Sequence, residues 1–316
     1  MKEHGKKNKK KRALIEWIIT ISILLIFVLF HQIMLKVEEP LRAPLGQVVE
    51  VDGHKMSVYT EGTGDKTLVF LSGSDTPSPI LDFKSLFSLL SDEYRIVVVE
   101  RFGYGFSDIV DKPRDIDTVL SETRAALAAA DIDGPYVLCP HSMSGLEALN
   151  WAQQYPEEVE AIVGLDMAVP DAYENFKNNV FMNATSQFNA KTGIIRLLPL
   201  LNELDCVKHG TLTEEEKKIA HALLYKNFSN RTTINELKYV SENATIVGAG
   251  EIPQVPMLLF ISNDTSTTEL TDATQRYANT AENTKVIQLD CPHYVHDYEY
   301  NRISKEIKAF LQERAD

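Results

Sequence analysis

From residue 47 onward the hydrophobic period switches repeatedly between two and about 3.6. Gln47–Val51 and Met56–Thr60 are short alternating runs around Asp52-Gly53, which predicts a hairpin. Thr67–Leu71 and Arg95–Val99 are continuous apolar runs, the pattern of strands covered on both faces. Tyr136–Cys139, Glu160–Leu165, Met257–Ile261 and Thr284–Leu289 predict further strands. Helical spacing appears between them at Phe83–Leu90, Thr118–Ala130, Gly145–Gln154 and Leu270–Thr280, and Arg302–Glu313 closes the chain as an amphipathic helix. Strands alternating with helices predict an α/β fold with a mostly parallel sheet. Residues 171–250 break the alternation, with several helical patterns and no buried apolar run, and predict a helical insertion over one edge of the sheet.

The first 46 residues follow a different rule. Residues 13–35 are apolar on every face and carry no charge from Trp17 to Phe30. As a helix they reach about 35 Å, enough to cross a hydrocarbon layer of about 30 Å. A cleaved signal peptide has a similar basic start, but its apolar part is shorter and ends in a small-residue site, which is missing between His31 and Gly46. Residues 13–35 therefore read as a retained transmembrane anchor, and residues 36–46 as a Pro-punctuated linker.

Charge gives the anchor a direction. Residues 1–12 carry seven Lys/Arg and one acid, a net +6, so the overall −13 leaves −19 for the rest. The basic tail predicts a cytoplasmic N-terminus and an extracytoplasmic body, residues 47–316, at the cell membrane. An acidic body is a poor partner for nucleic acid, whose phosphates need Lys and Arg. At 44% hydrophobic and 24% charged residues the chain is ordinary globular material, and 316 residues would allow about two domains. The layout predicts one domain carrying its own cover instead. Three cysteines make no disulfide framework, although a Cys206–Cys291 bridge stays open outside the cell. The eight histidines show no metal-ligand spacing, so neither metal nor cofactor is predicted.

The chemistry concentrates in Tyr136-Val-Leu-Cys-Pro-His-Ser-Met-Ser-Gly145. Here a strand runs into a helix through a serine with small residues beyond it, the pattern of a nucleophile on a tight, strained turn. Ser142 is the candidate nucleophile. Positions two before and two after it must be small, or strand and helix collide; Ser144 and Gly145 fit, while Pro140 departs from the usual Gly or Ala. The following helix directs free N–H groups toward developing negative charge.

Four segments in order resemble the α/β-hydrolases that bear a lid, a group including esterases, lipases and prolyl-aminopeptidase-like enzymes. Val69-Phe-Leu-Ser-Gly-Ser74 resembles the family's His-Gly strand end, with Ser72 for the His. Glu100-Arg-Phe-Gly-Tyr-Gly-Phe-Ser-Asp108 resembles its Asp-x-x-Gly-x-Gly-x-Ser loop, with Glu100 for the Asp. The segment around Ser142 with Tyr155-Pro-Glu-Glu-Val159, and Cys291-Pro-His-Tyr-Val-His296, complete the match over about residues 47–315. The resemblance implies His293 as the base, with His296 structural and His141 a packing residue. It implies the acid at either of two places: Asp264 after the strand used by most members, or Asp166 after the preceding strand, as in certain haloalkane dehalogenases. Dehalogenation itself is disfavoured, because that chemistry has an aspartate where Ser142 stands. The backbone N–H groups of Met143 and Ser74 would form the oxyanion hole.

Together these features predict a membrane-anchored serine hydrolase acting on a small or medium carboxylic ester or amide chosen by the 171–250 lid. Two other readings stay open. One is a catalytically inactive binding or sensing module, suggested by Ser72. The other is a prolyl-type aminopeptidase, which would need an acidic lid group for the substrate amine.

Overall fold

The computed structural model describes residues 2–198 and 203–314. Strands β1 (Gln47–Val51) and β2 (His54–Glu61) form the expected hairpin, with Asp52 at φ +51° and Gly53 at φ +73°. Positive φ at both turn residues suits the right-handed twist of the strands they join. The remaining strands are β3 (Thr67–Leu71), β4 (Arg95–Glu100), β5 (Tyr136–Pro140), β6 (Val159–Leu165), β7 (Met257–Ile261) and β8 (Thr284–Gln288). They form one eight-stranded sheet in the order β1-β2-β4-β3-β5-β6-β7-β8. β1, β2 and β4 pair antiparallel, and every pairing beyond β4 is parallel.

Every residue of β3, β5 and β7 is buried, which is why their sequences show no alternation. Successive residues still serve opposite cores. Val69, Val97, Leu138 and Leu259 face a layer containing Leu127, Leu146 and Trp151. Phe70, Val98, Val137 and Phe260 face a layer containing Phe83, Phe87, Ile303 and Phe310. The first layer comes from α3 (Ile116–Ala129) and α4 (Ser144–Gln154); the second from α2 (Pro79–Phe87) and the closing helix Tyr300–Gln312. Helix α2 starts four residues before its apolar periodicity, because Pro79, Ile80 and Leu81 are all buried and leave no polar face to read.

Among its described residues the insertion between β6 and β7 contains helices and connecting loops but no strand: α5 (Val180–Thr192), α6 (Asp205–Lys208), α7 (Glu214–Asn227) and α8 (Arg231–Ala249). It lies over the carboxyl edge of the sheet, across the loops that follow β3 and β4. Asn227 Nδ2 donates to the carbonyls of Gly105 (2.8 Å) and Pro77 (3.1 Å), and Asn230 Nδ2 to that of Gly103 (2.8 Å). Thr232 Oγ1 donates to the Val110 carbonyl at 2.7 Å. After the insertion come α9 (Thr268–Thr280), α10 (Val295–Tyr298) and α11 (Tyr300–Gln312).

The N-terminal helix α1 runs unbroken over Lys2–Val37, and its stretch Lys10–Val37 is long and apolar enough to cross a membrane, its most apolar 18-residue window having a mean hydropathy of 2.7. The linker is less free than its prolines suggest. Glu39–Arg42 forms a short 3-10 turn, and Arg42 donates back to the Leu35 carbonyl at 2.6 Å. All three cysteines are free and buried, so the Cys206–Cys291 bridge left open by the sequence is not formed.

Candidate active site

β5 ends at Pro140, in register with Leu71 of β3, where the missing N–H costs no ladder bond within the strand. The chain then turns sharply: Ser142 sits at φ +52°, a conformation costing on the order of 1–3 kcal/mol for a side-chain-bearing residue. The turn is held from all sides. Ser144 Oγ donates to the Leu71 carbonyl at 2.6 Å, and the Ser142 carbonyl accepts from Gly145 N (3.0 Å) and Ala168 N (2.8 Å). A Cβ on Gly145 would stand 2.1 Å from the Ala168 carbonyl oxygen. A Cβ on Gly73 would stand 2.8 Å from the Ser142 Cβ. Both glycines are therefore demanded by close backbone approach.

Three side chains meet at this turn. His293, on the loop after β8, places Nε2 2.9 Å from Ser142 Oγ and Nδ1 2.6 Å from Asp166 Oδ2. Asp166 leaves β6 at φ +47° and is fully buried. Its Oδ1 accepts from Ser262 N (2.9 Å) and its Oδ2 from Ser262 Oγ (2.7 Å). A carboxylate only accepts, so the bond to Asp166 fixes the imidazole proton on Nδ1 and leaves the Nε2 lone pair to the serine hydroxyl.

Asp264, the other acid, is not part of this chain. Its Oδ1 accepts from Ser266 N (2.8 Å) and Oγ (2.7 Å), and its Oδ2 from the backbone N of His293 (3.2 Å). It holds the loop that presents His293, and these bonds, the Ser266 side chain first, keep its carboxyl below the ordinary range. The expectation that Asp264 could face the imidazole is thus corrected: the exit of β7 turns that carboxylate onto backbone N–H groups.

Ser74 and Met143 flank the serine, both partly open to solvent. Among the described residues neither backbone N–H has an acceptor. Ser72 is buried, and its carbonyl accepts from Arg101 at 3.0 Å. His141 packs its ring on that of His293, with centroids 4.7 Å apart. Burial, with the nearby His296 and His293, lowers its pKa well below the ordinary value and keeps it neutral.

A buried charge network behind the turn went unread in the sequence. Arg101 pairs with Glu147 (2.7 Å) and Arg114 with Glu122 (2.5 Å). Glu236, from α8, approaches both arginines at about 4 Å and takes a hydrogen bond from Tyr104. The network lines a small cavity of about 20 Å³ with Met143 and Leu146. Two carboxyls nearby are pushed up to about 7, chiefly by burial: Asp75, which accepts from Ser229 N, and Glu100, which accepts from Phe106 N. The one hint in the sequence was Glu147, a lone acid in an otherwise uncharged helix.

Asp82, His141 and His296 form the grouping with metal-ligand chemistry, all three buried, with His296 Nε2 2.8 Å from Asp82 Oδ2. Their candidate ligand atoms lie within 4.8 Å of one another.

A family model described as the alpha/beta hydrolase fold matches residues 73–300. The chain belongs to the α/β-hydrolase family. It is 40% identical over 221 residues to the Bacillus subtilis (strain 168) protein YbdG, covering 69% of this chain and 68% of that one. A haloalkane dehalogenase of Sphingobium indicum is 26% identical over 140 residues, 42% of this chain and 46% of that enzyme. Among solved structures, a Bacillus megaterium epoxide hydrolase with an inhibitor superposes at a TM-score of 0.65 and 17% identity, covering 84% of this chain and all of that one. A meta-cleavage product hydrolase from Pseudomonas fluorescens superposes at 0.64 and 14% identity, covering 85% and 98%. Both establish the same fold. The relatives with assigned activities are haloalkane dehalogenases and cis-3-alkyl-4-alkyloxetan-2-one decarboxylases, each matched over less than half of its length, and all of them are enzymes.

Proposed function

We propose that the chain is a membrane-tethered serine hydrolase that cleaves a carboxylic ester or amide. The observation that carries this reading is the continuous chain of contacts Ser142 Oγ–His293 Nε2 (2.9 Å) and His293 Nδ1–Asp166 Oδ2 (2.6 Å). His293 takes the hydroxyl proton as Ser142 attacks the carbonyl carbon, and Asp166 stabilises the imidazolium that forms. The N–H groups of Met143 and Ser74 receive the oxyanion. His293 then returns the proton to the leaving alcohol or amine, and water releases the acyl group by the same steps in reverse.

The nucleophile argues against the activities of the dehalogenase and epoxide-hydrolase relatives. A serine that attacked a carbon bearing a halide or an epoxide would leave an ether, which water does not cleave. An ester or amide leaves an acyl-serine, which it does. The prolyl-aminopeptidase reading needs an acid of the cover free to hold an amine, and Glu236, the buried acid of the cover among the described residues, already faces Arg101 and Arg114. On this proposal α1 is the anchor, the basic residues 1–12 stay in the cytoplasm, and the acidic body works outside it under the 171–250 lid.

The test is labelling of the full chain with a fluorophosphonate probe, beside Ser142→Ala and His293→Ala. The wild type should label, and both variants should not. Equal labelling of wild type and Ser142→Ala would refute the assignment.

A further inference from the structure

Outside α1, the five most exposed large apolar side chains of the described residues gather in one place, while Leu45, Val48, Leu89 and Ile246, none more than 43% exposed, lie elsewhere. Phe181 is 81% exposed and Val180 75%, with Met182 and Phe188 on the same helix and Leu197 just beyond it at 60%. Phe181, Ala184, Thr185 and Phe188 share the outer face of α5 at helical spacing, and all four are exposed. No charged residue occurs from Asn178 to Ala190, while Lys177 and Lys191 flank the stretch. A helix with an apolar outer face and lysines at its ends fits a water–lipid boundary better than open water.

The same segment is fastened to α1. Gly193, which ends α5 at φ +80°, packs so tightly on His31 that a Cβ there would stand 2.4 Å from the His31 Cβ. Arg196 donates to His31 Nδ1 at 3.0 Å and makes a bidentate pair with Glu38, both bonds 2.7 Å. Its guanidinium also lies 3.8 Å from the centre of the Tyr225 ring. His31 precedes Leu35 by four residues, which is about 6 Å back along the helix toward the membrane. The end of α5 is therefore held at the level where an embedded α1 would leave the hydrocarbon.

We propose that the outer face of α5, with Leu197, is a lipid-binding surface that seats the cover in the headgroup region of the bilayer α1 enters. The proposal rests on the anchor reading of α1. It adds that the lid is a second point of membrane contact rather than a soluble cap held clear of the membrane. Lys177 and Lys191 would favour anionic lipid at that surface.

The test uses the full chain in vesicles of phosphatidylcholine and phosphatidylglycerol carrying acyl-brominated lipid. The three native cysteines are buried, so a bimane label can be directed to one introduced cysteine at a time. Phe181→Cys and Leu197→Cys report on the proposed surface, and Ile21→Cys on the span. Asp92→Cys, in the turn before β4 at the opposite end of the sheet, is the reference. Quenching by brominated lipid should be at least roughly twofold stronger at positions 181 and 197 than at 92, with iodide in the water showing the reverse order. Quenching at 21 but not at 181 or 197 would overturn the docking and leave the anchor standing. No quenching at 21 would overturn the anchor and the docking together. Bimane self-quenching at 181 that grows with protein density, without lipid quenching, would mean that a second copy covers the face, and would also overturn the proposal.

Discussion

Replacing Asp166 by Asn keeps the size of the side chain and reverses the one property the site depends on. Three donors point at this carboxylate: Ser262 N, Ser262 Oγ and His293 Nδ1–H. An amide offers one oxygen and one NH2 in place of two accepting oxygens. The backbone N of Ser262 cannot move, so the amide oxygen stays with it and the NH2 faces the Oδ2 partners. The Ser262 hydroxyl can rotate and accept. His293 can accept only by moving its proton from Nδ1 to Nε2, where it blocks transfer from Ser142. Loss of the productive tautomer should lower kcat by about 10⁴-fold, or about 5.5 kcal/mol of transition-state stabilisation. Asp264→Asn should cost less than about tenfold, because Asp264 touches His293 only through its backbone N–H. The assay is hydrolysis of a short-chain p-nitrophenyl ester, with correct folding checked by circular dichroism. Near-wild-type kcat in a folded Asp166→Asn protein, or a loss of 10³ or more in Asp264→Asn, would refute the reasoning.

Gly145→Ala should lower stability by about 1–3 kcal/mol, read from a thermal melt, because the new methyl meets the Ala168 carbonyl at 2.1 Å. Arg114→Leu strands a buried carboxylate, since Arg114 and its partner Glu122 are both nearly fully buried. It should cost about 3–5 kcal/mol in a denaturant titration, and adding Glu122→Leu should recover part of the loss. Asp75 ionises near 3.8 when unfolded but near 7 when folded, so its contribution is present below the lower value and lost as pH rises through the upper. Asp75→Asn keeps an acceptor for Ser229 N–H and cannot ionise. Its Tm should therefore fall less than the wild type's between pH 4 and 7, and parallel curves would refute the assignment.

The legible parts of the chain were those governed by one local rule. The bounds of β3 and β7 agree with their apolar runs at every residue, since strands buried on both faces have no other way to be written. The turn at Ser142 was legible because its steric demands fall within a few residues. The choice between Asp166 and Asp264 was not, because both stand at the exits of neighbouring strands. Which one meets His293 depends on how each exit turns: φ +47° at Asp166, and a loop-capping geometry at Asp264. The network of Arg101, Arg114, Glu122, Glu147 and Glu236 was hidden for a related reason. It joins separate segments, and each member alone reads as a surface charge. The sequence did not show which edge the insertion covers, because its anchoring asparagines, Asn227 and Asn230, bond to backbone carbonyls that carry no side-chain signature.

The two hydrogen bonds from Ser262 to Asp166 have a consequence for how such a protein can change. They tie the end of β6 to the end of β7, and Leu165 and Phe260 are already paired in the sheet. The insertion leaves at the end of β6 but re-enters at the start of the parallel β7, where Met257 pairs with Ile162, so the clasp joins its exit to the far end of the strand that receives it. Doubling the length of a flexible loop between such points adds only about 0.6 kcal/mol of closure entropy. Length alone is thus a weak constraint on residues 171–250, whereas Asn227, Asn230, Thr232 and Glu236 tie the segment to the body at fixed places. The clasp holds the acid between the ends of β6 and β7, and through it the histidine, whatever the length of the segment that joins the two strands.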